Sequence, residues 1–480
     1  MSPGIHRFSL ILVPTLLLAT GCAINPATGK HQLSLISESQ EIRMGAEADG
    51  DVTRQMGLYE DEDLEQVVQA TGQQLAALSE RPDLPWSFRI VDDPAVNAFA
   101  LPGGYIYLTR GILAHFNATA EMAGVLGHEI GHVTARHSVN QMSKAQLAGL
   151  GLGLGAALDP SVARYANLTS AGVGILFLKF GRDDERQADD LGFRYLGKAG
   201  YPQEAMVDVF QMLQAAGGGD GSGRAPGWLS THPSPENREE RIAALLAENP
   251  SPSMAPDTRW LQGLNGLVYG EDPRQGFFRQ AQFVHPEMEF QIRFPEDWQA
   301  VNQRSFVAAR HPDGDALIKL SLVPADTITA AADQFFALEG VRRGDGWRST
   351  INGLPVASGT FSVGEPADGS AVAGLVMFVG VRQQVLRLVG YSPVDIWPGR
   401  QAAVETSLAS FQRLTAAADL EVQPRRLVLT RVQQPTTLAA FHRAHPSSVS
   451  LDEIARLNRL QPESRLATGT LVKGVVGGPE

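Results

Sequence analysis

The sequence predicts a multidomain α+β protein: a mainly helical first domain with a small sheet, a second α+β domain, and a small βααβ module at the end. Three observations point there. At 480 residues the chain is longer than a single core normally serves. Helical periodicity dominates the first half, and strand alternation takes over in the second. Between them, "NPSPSMAPD" (249–257) has the Pro- and Ser-rich composition of a linker. The divisions expected are a leader (1–21), a first domain with its linker (22–257), an α+β domain (258–420) and the final module (421–480).

The leader has a short basic start at Arg7 and an apolar run from Phe8 to Ala19, too short to span a bilayer. It ends in Ala19-Thr20-Gly21-Cys22, which resembles a bacterial lipoprotein cleavage site. The expectation is a mature protein that begins at a lipidated Cys22 and is held at a membrane by acyl chains alone. Ala23 follows rather than Asp, which implies sorting to the outer membrane and a periplasmic body. Cys22 is the one cysteine, so neither an internal disulfide nor a cysteine metal cage can form.

Helices are expected over 37–50 and 63–79, then a strand in "PWSFRIVDD". "VNAFALPGGYIYLTRGIL" reads as strand, Pro-Gly-Gly turn, strand, and a long helix is expected over 118–143. "AQLAGLGLGLGAAL" (145–158) and "AGVGILFLKF" (171–180) are apolar but short and Gly-rich, which suits mobile helical cover better than membrane spans. Helices follow over 183–199 and 203–216, then a glycine-rich loop (217–227), "STHPSPENR" and another helix. Six strand-like runs and two helices (328–336, 399–411) make up the second domain, where His285 and His311 stand isolated and read as structural. A net charge of −12 argues against a nucleic-acid partner, which needs a basic face.

The chemistry concentrates in "NATAEMAGVLGHEIGHVTARHS" (117–138). His128 and His132 are four apart and project from one helix face, where two neutral imidazoles can grip one Zn²⁺. Glu129 can reach a water without binding the metal, which makes it the candidate general base. Gly127 and Gly131 leave room for another element to approach closely. His137 lies half a turn out of phase on a continuous helix and is left out of the ligand set. A third protein ligand is needed, and "FGRDDERQADD" (180–190) offers five carboxylates. Helical spacing puts Glu185 and Asp189 on one face: one could bind metal, the other could orient a ligand histidine. Spacing does not rank them.

"EMAGVLGHEIGH", followed about fifty residues later by "GRDDERQADDLG", resembles the zinc metallopeptidases of the CAAX prenyl protease, HtpX and BepA type. These are gluzincins, with two histidines and a glutamate on one zinc. The resemblance covers about residues 25–248. It implies Glu185 as the third ligand and Asp189 as the partner behind it. "VNAFALPGGYIYLTRGIL" (96–113) resembles the family's edge strand beside the active-site helix, which implies that it takes substrate as an added strand, with Gly103, Gly104, Tyr105, Ile106 and Tyr107 as the residues expected to do so. "STHPSPENR" resembles the family's late histidine motif. It implies that His232 caps the zinc at rest, swings away or steadies the oxyanion, with Arg238 serving the same end. The implied activity is zinc endopeptidase action on misfolded or misassembled envelope proteins. The competing reading is a chaperone-like or wall-tethering binding protein with a mostly closed site. The last module weakly resembles LysM, which implies peptidoglycan as a partner, although Gln434-Pro435-Thr436 replaces the usual Gly-Asp-Thr entry.

Overall fold

The computed structural model describes residues 22–151, 179–216, 228, 231–232, 237–248, 258–364 and 371–478. The leader, most of the two apolar segments, the glycine loop and the linker lie outside the described residues. Two compact units emerge: Met1–Gly270 with Arg426–Val476, and Glu271–Arg425 with Gly477–Glu480. No helix among the described residues is long and apolar enough to cross a membrane.

In the first unit, Ser37 caps helix Glu38–Met56, its side chain and that of Gln40 exchanging bonds with each other's main-chain N–H. Asp61 caps helix Glu62–Ala76 through Leu64 N. A three-stranded sheet follows. Its central strand is Tyr105–Thr109, parallel to Ser87–Val91 on one side and antiparallel to Ala98–Leu101 on the other. Gly103 and Gly104 make the turn between the last two, at φ of 81° and 103°.

The long helix expected over 118–143 is broken. Helix Thr119–Thr134 ends, Arg136 takes φ 59°, and a separate helix, His137–Gly151, begins. The cause lies far away in sequence. Buried Glu41 accepts from Arg136 Nε (2.9 Å) and from Arg81 Nη1 (2.8 Å), and Arg136 Nη2 donates to Ile36 O (2.8 Å). These bonds hold Arg136 in a conformation that L-residues otherwise avoid.

Residues 426–476 follow the order strand, helix, helix, strand: Arg425–Arg431, Leu438–Ala444, Leu451–Asn458 and Leu471–Gly477, the two strands paired in one small sheet. This segment merges with the core of the first unit. Leu427, Leu438, Ile454, Leu457, Val472 and Val475 belong to one continuous apolar cluster with Ile112, Phe116, Met122 and Val209. Polar ties reinforce the apolar ones. Lys473 Nζ, fully buried, donates to Ala114 O (2.8 Å) and Phe116 O (3.2 Å). Arg459 pairs with buried Glu121, on the first turn of helix Thr119–Thr134.

The second unit is a seven-stranded antiparallel sheet, running from Val341–Ile351 at one edge to Gln299–Gln303 at the other, plus a four-stranded sheet. Along strand Val372–Val381, Leu375, Met377 and Val379 point into one core with Val404 and Leu408 of helix Trp397–Ala409. Val376 and Phe378 point into another with Phe335 of helix Ile328–Phe336. The alternation shows one helix covering each sheet face.

Candidate metal centre

Helix Thr119–Thr134 is buried along its whole length. A Cβ on Gly131 would lie 2.9 Å from Ala188 O, and one on Gly192 would lie 3.0 Å from His128 N. Only glycine at both places lets helix Arg182–Ala199 come this close, and that approach brings its carboxylates to the histidines. Glu185 and Asp189 are buried and face inward. Asp183 and Asp190 stay exposed and pair with Arg186 and Arg241. Asp184 accepts from Gly181 N at the helix start (3.2 Å).

The donor atoms converge. His128 Nε2 and His132 Nε2 lie 3.1 Å apart, and Glu185 oxygens lie 3.6 and 3.5 Å from them. His232 Nδ1 joins, 2.9 Å from Glu185 Oε1 and 3.4 Å from His128 Nε2. These four residues form a buried group whose ligand atoms lie within 4.8 Å of one another. Behind it, His128 Nδ1 lies 2.9 Å from Asp189 Oδ1, and Arg238 Nε donates to Asp189 Oδ2 (2.9 Å).

The charges suit a cation. Burial, helped by the neighbouring His128 and His137, holds His132 well below its ordinary pKa, so the ring is neutral and free to donate a lone pair. Burial alone would raise the Asp189 carboxyl; Arg238 and the His128 bond outweigh it and keep it ionised. Burial opposes ionisation of Glu185 too, and His232, His128 and Arg238 overcome it. For His232 the balance reverses: burial disfavours its charge, but Glu185 and Glu129 hold the pKa above the usual value. Two imidazole nitrogens facing one point, with a buried Glu185 Oε2 that has no hydrogen-bond partner among the described residues, fit one divalent ion bound through nitrogen and oxygen. Glu129 sits beside this point without joining it. Its Oε1 accepts from Trp228 Nε1 (3.2 Å) and lies 3.5 Å from His232 Nε2, while its buried Oε2 has no hydrogen-bond partner among the described residues.

Of the residues singled out from sequence, His128, Glu129, His132, Glu185, Asp189, His232 and Arg238 meet here. The strand assignment needs correcting. Tyr105, Ile106 and Tyr107 lie on the central strand, both of whose edges are taken, so neither they nor the Gly103–Gly104 turn can receive an added strand. The edge strand beside helix Thr119–Thr134 is Ala98–Leu101. Thr109 N donates to Asn97 O (3.1 Å), so alternate residues Val96, Ala98 and Ala100 turn their main-chain groups outward. Cys22 lies in a short strand, Cys22–Ile24, away from these residues in sequence.

Two residues at the site were not anticipated, and a third lies nearer to it than its helical phase predicts. Trp228 stacks on His232, with ring centroids 4.7 Å apart, and its main-chain N–H reaches Val96 O (3.4 Å) at the start of the open edge. Phe180 covers His132, with centroids 4.0 Å apart. His137 was expected to point away. Because Arg136 interrupts the helix, His137 Nδ1 lies 2.9 Å from His132 Nδ1, although His137 stays outside the donor group. An apolar aromatic beside a ligand motif is the one signal that could have flagged Phe180 and Trp228.

Comparison with known proteins agrees with this geometry. The profile of peptidase family M48 matches residues 62–248. Mitochondrial metalloendopeptidase OMA1 of Arabidopsis thaliana is 39% identical over 171 residues, 35% of this chain and 33% of that protein. Its counterpart in Schizosaccharomyces pombe is 30% identical over 235 residues, 46% of this chain and 66% of that one. Beta-barrel assembly-enhancing protease of Escherichia coli K12 is 30% identical over 223 residues, 44% of this chain and 45% of that one. The chain therefore spans between a third and two thirds of the length of these relatives. Ligand geometry and sequence likeness coincide on the same stretch, and the chain carries a metallopeptidase domain of family M48.

Proposed function

We propose that this protein is a zinc-dependent endopeptidase. The observation that carries the reading is the buried convergence of His128, His132 and Glu185 beside a Glu129 oxygen that no described group engages. Zinc held there would supply Lewis acidity toward a peptide carbonyl and acidify a water. Glu129 is placed to take the water's proton and deliver it to the leaving amine. Asp189 and Arg238 fix the His128 ring so that Nε2 keeps its aim. The substrate main chain would pair with Ala98 and Ala100 on the outer edge of strand Ala98–Leu101.

At rest the His232 ring lies among the donors and the Trp228 indole engages Glu129. A substrate must displace both, after which His232 is near enough to steady the oxyanion. This closed arrangement favours low basal activity, and it is what supports the second reading, a binding protein with a weakly active site. The deciding experiment pairs zinc content with casein cleavage. The endopeptidase reading expects Glu129→Gln to keep its zinc and lose cleavage by about 10²–10⁴-fold. Unchanged cleavage would remove Glu129 from the mechanism, and no cleavage by either protein favours the binding reading.

The substrates we propose are misfolded or misassembled envelope proteins. This is supported by the bacterial relatives' name and by the lipoprotein-like leader. Anchoring through acylated Cys22 expects Cys22→Ser to leave the membrane fraction; retention there contradicts it. The strand-helix-helix-strand order of the last module supports a LysM-like fold. Cosedimentation with peptidoglycan tests whether it binds glycan.

A further inference from the structure

The two ligand histidines are held from behind in different ways. His128 is backed by a carboxylate, Asp189. Among the described residues no carboxylate backs His132: its Nδ1 lies 2.9 Å from His137 Nδ1, and His137 Nε2 lies 2.8 Å from Gln187 Oε1. Asp184 Oδ1 is farther from His137 Nε2, at 3.7 Å.

Proton placement follows from the chemistry of each group. If His132 binds metal through Nε2, its proton sits on Nδ1 and must be donated. The group facing it is His137 Nδ1, which must therefore carry a lone pair. The His137 proton then sits on Nε2, pointing at an amide oxygen that can only accept. The chain has one direction, His132 to His137 to Gln187, and each link has one donor and one acceptor. His137 is buried and Phe180 lies over His132, so water is a poor substitute for either partner.

We infer that His137 and Gln187 are positioning residues for the metal, holding His132 in the tautomer and orientation that present Nε2 to the site. Gln187 lies between Glu185 and Asp189 on helix Arg182–Ala199. That helix thus supplies a ligand through Glu185, backs His128 through Asp189, and backs His132 through Gln187 and His137. The neutral imidazole behind His132 makes it a weaker donor than His128, whose partner is anionic.

The inference rests on the metal-centre reading, so the experiment separates the two. Apo full-length chains are titrated with zinc against a chelator, and the cobalt-loaded forms are compared by visible absorption. Wild type binding no zinc overturns the metal reading itself. With wild type binding, His137→Ala is expected to bind zinc about 10–100-fold more weakly and to shift the cobalt bands. Gln187→Leu, remote from the metal and half-buried, is expected to weaken binding in the same direction by a smaller factor. Gln187→Glu, which keeps an acceptor, is expected to restore it. The Gln187 pair decides the matter if His137→Ala does not fold. Zinc affinities within twofold of wild type in His137→Ala and Gln187→Leu, with unchanged cobalt spectra, overturn the inference.

Discussion

Among the described residues, two clusters bring histidine together with two or more carboxylates or ligand groups, and one of them has the makings of a metal centre. In the second unit, His311 Nδ1 lies 3.5 Å from Asp313 and 3.4 Å from Asp315. That nitrogen already accepts the Asp313 main-chain N–H (3.1 Å), and Arg400 pairs with both carboxylates. Asp313 is exposed and Asp315 half-exposed. In the first unit, no main-chain donor among the described residues reaches the histidine nitrogens facing the site, the carboxylates are buried, and the charge on Arg238 is taken up mainly by Asp189. Residue type alone does not make a binding site. What distinguishes the two is which lone pairs remain unspent and whether water can solvate the acids instead.

The most severe way to break this contrast is to remove the burial. Residues 426–476 share the core that holds helix Thr119–Thr134, each fully buried aliphatic side chain contributing about 1.5–3 kcal/mol. Deleting them is expected to leave the first unit unfolded or rapidly digested by trypsin under native conditions. A deletion variant that melts within a few degrees of wild type shows instead that the segment is an independent appendage. A milder break leaves the burial and alters one hydrogen bond. Asp189→Asn keeps the shape but turns an anionic acceptor into an amide, and is expected to weaken zinc binding by about 10–100-fold. The matching change at the other cluster, Asp315→Asn, is expected to leave zinc affinity untouched, and an equal loss at both sites erases the distinction.

Much of the site was legible in sequence because its determinants are local. The HExxH spacing, the paired carboxylates four apart and the glycines that admit the second helix all act within one or two turns. What could not be read depends on distant partners. On a continuous helix His137 would point away from His132, but the helix breaks at Arg136, which is held by Glu41, 95 residues earlier in the chain. The hairpin expected over 96–113 forms over 98–109, with Arg110–His115 turning into a short helix, and which of its strands is the edge is decided by Ser87–Val91 joining in parallel, a pairing that hairpin periodicity does not report. The final module was expected as a division of its own. Its merger with the first core runs through Lys473, a residue whose burial no local pattern announces.

The central claim is one zinc per chain, held by His128, His132 and Glu185. Metal content of purified protein, measured for wild type, Glu185→Ala and a His311→Ala/Asp315→Ala double variant, tests it most directly. About one zinc is expected for wild type, about one for the double variant and close to none for Glu185→Ala after dialysis. A full complement of zinc in Glu185→Ala, or its loss in the double variant, contradicts it.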